Sequence, residues 1–503
     1  MLWGDVIRYW ARWQPEAQAL RFEELTWSWA ELHRRTDEVA AGLAAAGIGR
    51  GDRVGLLLGN RPEFVEVVGA VMKLGAIAVP MNVRLTAPEL AYQVGDADCA
   101  VVVTEDALAG GLEQARRDRP GMPVVSADGG LDALRVAGGR PPEVVVDEHD
   151  PLFCCFTSGT TGDPKGAVLT HRSWHFASMG RALQCRITGA DRTLLPFPLA
   201  FTGGLAMHLT TLWAGATLVL ERAFDPNRCL DLIESERISV FMAVPVIFQT
   251  LADHPRFAAA DLSSWRVASS GGAPVPPSLL RTFIARGIPM IQAYTLTEVS
   301  AAGTTLPTQD ALRKVGSAGV SALHSATRVV REDGSDAAVG EVGEICIKGP
   351  EVMAGYWRKP EATAATIVDG WCHTGDLGFL DDEGYLTVVD RAKDMLISGG
   401  LNVYPAEIER VLAGLPGIVE VAVVAVPDER WGESPAVVAV GDPQRVTPDA
   451  VLEACRGQLA DFKLPRYVVV RDEPLPRNMS GKILKRDLRT EYADLPGRTT
   501  PIR

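Results

Sequence analysis

The chain reads as an α/β protein, with a large multi-layer N-terminal domain of parallel sheets and a β-rich subdomain, then a small mobile α+β C-terminal domain. Three observations predict this. Strand and helix patterns alternate from Ser28 to Pro80 and return after Thr217, the rhythm of parallel sheets covered by helices. Between Val329 and Tyr385 the texture changes to short strands with Gly and Asp turns, such as Gly340-Glu341-Val342-Gly343-Glu344. Beyond Asp390 the order becomes helix, strand, strand, helix. At 503 residues the chain also exceeds one core, since domains usually hold about 100–200 residues.

The elements follow in order. Ser28-Trp29-Ala30-Glu31 has the S-x-x-E spacing of a capping box, so a helix starts there and runs to about Ala46. A turn over 47–52 leads to a short buried strand at 53–58. Pro62 fits a first helical turn, where its missing N–H is no loss. That helix ends near Leu74, and 76–80 is the next strand. Further strands are expected at 217–220, 240–244 and 266–268. In the C-terminal part a helix at 405–412 precedes strands at 421–426 and 436–440. Thr447-Pro448 supplies an N-cap and a first-turn proline for a helix to about Ala460. The domains are therefore placed at 1–389, with the β-rich subdomain over about 325–389, and at 390–503.

Composition narrows the partners. Hydrophobic residues make up 47% and charged ones 22%, which argues against a disordered chain. Acidic side chains outnumber basic ones 63 to 50, a formal charge of −13. That surface repels a phosphate backbone, so no nucleic-acid partner is expected, and any polyanionic ligand needs a local positive site. The eight cysteines include no C-x-x-C pair, which predicts reduced, mostly buried thiols in a cytoplasmic protein. The histidines show no H-E-x-x-H spacing, so no structural metal is expected. No apolar run approaches the ~20 residues of a membrane span, and the N-terminus lacks a secretory apolar core. Trp174, Trp213 and Trp265 lie in apolar patterns and read as core.

The strongest local signal is Thr157-Ser158-Gly159-Thr160-Thr161-Gly162-Asp163-Pro164-Lys165-Gly166, which follows an apolar run over 152–156. Its glycines let backbone N–H groups converge on an anion, its hydroxyls add donors, and Lys165 adds a point charge. The G-x-x-x-x-G-K-[ST] spacing of a Walker loop is absent. The string resembles the phosphate loop of the adenylate-forming superfamily, which includes acyl-CoA synthetases, luciferases and the adenylation domains of peptide synthetases.

Five further motifs of that superfamily appear in order. Gly271-Gly272-Ala273-Pro274 resembles its adenine-holding turn. Tyr294-Thr295-Leu296-Thr297-Glu298, with Ala293 before it, resembles the segment in which tyrosine lies beside adenine, threonine touches phosphate and glutamate holds Mg²⁺. Trp371-Cys372-His373-Thr374-Gly375-Asp376 is similar to the motif whose aspartate binds the ribose hydroxyls. Asp390-Arg391-Ala392-Lys393-Asp394 resembles the interdomain linker, which implies that Arg391 contacts nucleotide and Lys393 is the hinge. Pro476-Arg477-Asn478-Met479-Ser480-Gly481-Lys482 resembles the motif carrying the catalytic lysine, here Lys482.

This resemblance spans essentially the whole chain and is closest to the fatty-acid–CoA ligases. It implies an AMP-forming acid–thiol ligase that uses ATP, Mg²⁺ and CoA, with Lys165, Thr297, Glu298 and Lys482 in catalytic roles. The thiol is CoA or, alternatively, the phosphopantetheine of a carrier protein, and a member that stops at the acyl-adenylate is a further alternative within the superfamily. Carrier proteins are acidic, so the charge of −13 disfavours their encounter. A non-catalytic nucleotide-binding regulator is the remaining alternative, opposed by the intact Lys165, Glu298, Asp376 and Lys482 set. Amino-acid-activating relatives place an aspartate where this chain has Phe197-Pro198-Leu199-Ala200-Phe201-Thr202-Gly203-Gly204. Its neutrality implies an uncharged acyl or aryl tail, with Phe201, Thr202, Gly203 and Gly272 at the acyl pocket. Ala200-Phe201 replaces the Phe-His of many acyl-CoA synthetases, and by residue statistics Phe201 is equally a core residue. Gly399-Gly400 leaves room for pantetheine, although alone it is equally a β-turn. Phe462 and Arg466 resemble a CoA-nucleotide contact, or else an exposed basic turn.

Overall fold

The computed structural model describes residues 2–129, 131–132, 134–157, 164–272, 275–391, 394–398, 401–428, 431–456, 458–477 and 482–502. Among them, four sheets form. A seven-stranded sheet orders its strands 355–356, 165–170, 151–157, 77–80, 53–57, 101–104 and 124–126. A nine-stranded sheet runs 320–321, 303–305, 290–295, 267–271, 240–243, 192–195, 217–220, 18–22 and 25–28. Most neighbours in these two are parallel, with antiparallel pairs toward the edges. Their helices cover both faces, as parallel strands require. A five-stranded antiparallel sheet spans Ala326–Val330 to Leu386–Arg391, which is the expected β-rich region. The fourth sheet, from Leu396–Ser398 to Tyr467–Arg471, packs apart on its own apolar core of Val423, Val437, Ala439 and Leu452.

Local chemistry explains the boundaries. The helix Trp29–Ala45 is capped by Ser28, whose hydroxyl accepts from the Glu31 N–H at 3.2 Å. Pro62–Leu74 starts on its proline and stops at Gly75, whose φ of +64° suits glycine. The expected strands lie within a few residues of the observed ones, the third at Val267–Gly271 and the C-terminal pair longer, at Ile418–Asp428 and Gly432–Gly441. One helix falls short of its expected end. Pro448–Cys455 is capped by Thr447 as anticipated, but Arg456 turns extended with ψ 139°, not helical on to Ala460. Leu459 still packs against the C-terminal core, but it is reached through this extended turn and not through a further helical one. Trp174 and Trp265 are buried, and Trp213 packs partly buried against the main core. All eight cysteines are buried and unbridged. No helix among the described residues is long and apolar enough to cross a membrane.

Candidate active site

The phosphate-loop motif opens a hairpin. Strand Pro151–Thr157 runs in, and Lys165–Thr170 runs back antiparallel with Thr157 opposite Lys165. The Thr157 hydroxyl donates to the Lys165 carbonyl at 3.3 Å, closing the base. Ser158, Gly159, Thr160, Thr161 and Gly162 lie outside the described residues. Lys165 therefore stands where the strand resumes, its Nζ 4.7 Å from the centroid of the Tyr356 ring.

Tyr356 also reaches the second half of the site. Its hydroxyl donates to Glu298 Oε1 at 2.9 Å. Burial, then the Glu298 charge, push the phenol up, so it stays a donor. Glu298 sits in the turn Thr297–Val299, just past the end of strand Met290–Thr295. The chain then bends through Ser300 and Ala301 at φ near +53° and +52°, a left-handed pair that costs of order 1 kcal/mol each. Ser300 is held by its hydroxyl on the Glu351 carbonyl at 2.9 Å. The Ala301 carbonyl accepts from Arg181 at 2.5 Å. Arg181 reaches Thr210 Oγ1 at 2.8 Å as well, so it ties this turn to the helix Thr202–Ala214. Burial pushes its guanidinium down to about 10.

Thr202 Oγ1 and Thr297 Oγ1 are 2.8 Å apart. That bond joins the expected acyl-pocket segment to the expected phosphate contact. Phe201 is the N-cap of the helix and half-buried, and Gly203 is exposed, its Cβ position 3.7 Å from the Phe197 ring. Gly271 pairs with Ala293 across parallel strands, and a side chain at Gly271 would meet the Ala293 carbonyl at 3.1 Å. Gly272 has φ +80° and faces Val244. Ala273 and Pro274 lie outside the described residues.

Asp376, the carboxylate expected to meet the ribose hydroxyls, lies on the strand Trp371–Leu380 and is only 6% exposed. Its Oδ2 accepts from Tyr294 Oη at 2.6 Å, and Arg391 Nε faces Oδ1 at 3.1 Å. Burial and then Asp376 push the Tyr294 phenol well up. Asp376 and Arg391 are opposite one another in a single hairpin.

Past that hairpin, Lys393, Gly399 and Gly400 lie outside the described residues. Asp390 accepts from the Arg391 N–H at 2.7 Å and from the Ala406 N–H at 2.9 Å, near the start of helix Pro405–Leu412. Burial pushes Asp390 up, while Lys485 opposes it. Lys485 itself pairs with Glu409 at 2.8 Å. Lys482 lies beside a short bridge between Arg477 and Ile483, three residues before Lys485. Phe462 packs partly buried on the C-terminal core, beside strand Leu401–Val403. Arg466 faces Asp428 at 3.4 Å, so its charge is engaged within the C-terminal domain.

The motifs thus bring together Lys165, Glu298, Thr297, Thr202, Tyr294, Asp376 and Arg391. Sequence reasoning missed Tyr356 and Arg181, which no motif marks. Glu298 keeps Oε2 beyond its Tyr356 bond, a hard oxygen donor of the kind Mg²⁺ favours. A second donor cluster has no spacing signature. Glu344, Cys346 and His373 place their donor atoms within 4.8 Å of one another, a grouping made by the fold and not by sequence spacing. Strand pairing of Cys346 with His373 causes it. The three satisfy one another, with His373 Nδ1 2.8 Å from Glu344 and the Cys346 thiol pushed up to about 12 by burial.

The family model for the AMP-binding enzyme matches residues 7–357, and that for the AMP-binding enzyme C-terminal domain matches 407–482. The chain is 40% identical to the long-chain-fatty-acid–CoA ligase FadD13 of Mycobacterium tuberculosis over 97% of this chain and 98% of that protein. It is also 40% identical to a feruloyl-CoA synthase of an Amycolatopsis species, over 96% and 97%. Among solved structures it is similar to O-succinylbenzoate coenzyme A synthetase of Bacillus subtilis in complex with ATP and magnesium ion. That match has TM-score 0.88 and 32% identity, covering 96% of this chain and 99% of the other.

Proposed function

The chain belongs to the AMP-binding enzyme family, and from that premise we propose that it activates a fatty or related hydrophobic carboxylic acid for transfer to CoA. It is an AMP-forming acid–thiol ligase that uses ATP, Mg²⁺ and CoA. The choice of acid rests on the Thr202–Thr297 contact of 2.8 Å. It supports an acyl group entering along 197–204, a stretch without an acidic residue to meet an ammonium.

The chemistry needs placement more than proton transfer. A carboxylate is ionised at pH 7, so it attacks the α-phosphorus directly, an O–P bond forms and pyrophosphate leaves. Mg²⁺ at Glu298 would offset triphosphate charge. In this reading Lys165 holds phosphate oxygens, Asp376 takes the ribose hydroxyls, and Lys482 bridges the incoming carboxylate and α-phosphate. The CoA sulfur then forms a bond to the acyl carbon, AMP leaves, and the thiol proton passes to solvent. Phe462 and the segment around Gly399 and Gly400 are the proposed CoA side, with Arg466 released from Asp428 to meet phosphate.

The two halves also require the C-terminal domain to re-orient. We divide the chain at 389/390 and assign the hinge to Lys393. Support comes from the change of sheet just past that division, around Lys393: Leu386–Arg391 still pairs within the β-rich sheet and Leu396–Ser398 belongs to the C-terminal one. A cytoplasmic location fits the eight buried thiols.

Mass spectrometry of one mixture tests this: protein, Mg·ATP, CoA and competing acids from acetate to long-chain fatty acids, with aromatic acids and dicarboxylates. Fatty acyl-CoA as the main product is expected. Aromatic or dicarboxylic thioesters alone would overturn the substrate class. Acyl-adenylate without any CoA thioester would replace CoA by a carrier protein.

A further inference from the structure

We propose that Tyr356 is a positioning residue that sets the Mg·ATP geometry, holding the carboxylate of Glu298 with its hydroxyl and the ammonium of Lys165 on its ring face. The inference rests on the reading of Lys165 and Glu298 given above and extends it to a residue outside the six strings singled out in the sequence.

Three layers of contact carry it. Tyr356 touches both groups at once, Oη to Glu298 Oε1 at 2.9 Å and ring centroid to Lys165 Nζ at 4.7 Å. Lys165 stands on the seven-stranded sheet and Glu298 in the turn that follows a strand of the nine-stranded one, so their separation is set by whatever spans them. The span is the segment around Tyr356. Gly355 and Tyr356 pair with Val168 and Ala167 on the lysine's own strand, and the Trp357 N–H donates to the Gly166 carbonyl at 2.7 Å. On the other side the Met353 N–H donates to the Glu298 carbonyl at 2.8 Å. Backbone bonds thus fix the segment to both partners, and the Tyr356 side chain completes the bridge. Its backbone N–H is held by Thr363 Oγ1 at 2.9 Å.

The bond chemistry fits a resting clamp. A phenol donating to one carboxylate oxygen selects a rotamer and leaves the other oxygen for a cation. A ring face attracts an ammonium but competes weakly with phosphate, so Lys165 is kept in place yet released when the triphosphate arrives. Pre-placed charges lose less on binding than mobile ones.

Tyr356→Phe keeps the ring and removes the hydroxyl, whereas Tyr356→Leu removes both. Calorimetry of nucleotide binding, with Mg²⁺ and with chelator, reads the two contacts without catalysis. For Tyr356→Phe the Mg²⁺ concentration giving half-maximal tightening is expected to rise about 5–10-fold, with metal-free ATP binding unchanged. Tyr356→Leu is expected to weaken metal-free ATP binding about 3-fold as well. ATP–pyrophosphate exchange should show the same Mg²⁺ shift with the acid KM unaltered. A Tyr356→Phe protein with wild-type Mg²⁺ dependence overturns the proposal, as does a lowered melting temperature with no metal effect. If Tyr356→Leu fails to fold, Tyr356→Phe decides. Absence of exchange in the wild type would sink the activity reading alone, while calorimetry would still judge Tyr356.

Discussion

Tyr294 and Asp376, 82 residues apart in sequence, share a hydrogen bond of 2.6 Å while Arg391 faces the other carboxylate oxygen. A buried carboxylate gripped from both sides has a fixed orientation, which is what the proposed pairing with two ribose hydroxyls would require.

Removing the orienting donor should therefore act on nucleotide more than on acid. Tyr294→Phe is expected to raise the ATP KM about 5–10-fold, near 1–1.4 kcal/mol for one lost hydrogen bond. Asp376→Ala should raise it about 10²-fold, since the acceptor itself is gone. Steady-state kinetics with ATP and acid varied separately check both, and an equal rise in the acid KM would remove Asp376 from the nucleotide side.

The hydroxyl pair of Thr202 and Thr297 gives a second test. Thr202→Val keeps the shape and deletes the bond, leaving the Thr297 hydroxyl without that partner. Adenylation is expected to slow about 5–10-fold, and Thr202→Ser should restore most of it. Pyrophosphate-exchange rates of the three proteins separate this from loss of packing, which serine would not repair.

Lys482→Ala should lower adenylation about 10²–10³-fold, as for loss of one transition-state contact. Thioester formation from supplied acyl-adenylate should stay within a few-fold of wild type. Equal loss in both halves would contradict the division of labour between the two orientations of the C-terminal domain.

Stability should fall in mild acid. His171 and His208 are fully buried, and burial pushes each down to about 4 from an ordinary 6.5. His171 Nδ1 accepts from the Trp3 N–H at 3.4 Å, which requires the neutral ring. With folded values below unfolded ones, the stability they contribute is complete above pH 6.5 and is lost as pH falls toward 4. Two protons taken up on unfolding give a slope approaching ~2.7 kcal/mol per pH unit. Urea unfolding at pH 7, 6 and 5 measures it. His33, also pushed down to about 4 by burial, and His175 and His324, pushed down likewise, add to the same slope. His208→Gln should therefore remove at most one proton's share, ~1.4 kcal/mol per pH unit.

Legibility in the sequence followed locality. Lys165, Tyr294, Glu298 and Asp376 sit in short contiguous strings that resemble family motifs, so they stood out without knowledge of the fold. The strands and caps near Ser28, Pro62 and Thr447 were equally plain, because caps and first-turn prolines act within a few residues. Tyr356 was not visible. Its role arises from pairing Gly355 and Tyr356 with Val168 and Ala167, a register that depends on the whole sheet. Arg181 was hidden for a related reason: its partners are carbonyls and a hydroxyl, and no spacing rule points to a carbonyl. The short helix after Thr447 shows the opposite limit, since a start signal does not say how many turns the core will cover.

The burial of all eight cysteines bears on the thiol the enzyme consumes. Burial pushes Cys185 and Cys455 up to about 11, and Cys99, Cys229, Cys346 and Cys372 up to about 12. Disulfide exchange requires a thiolate that the attacking or attacked sulfur can reach. When CoA becomes oxidised to its disulfide, the protein presents no such sulfur to trap it. Oxidation of CoA should therefore limit this ligase by depleting its thiol substrate, while the protein's own cysteines stay out of exchange with the disulfide.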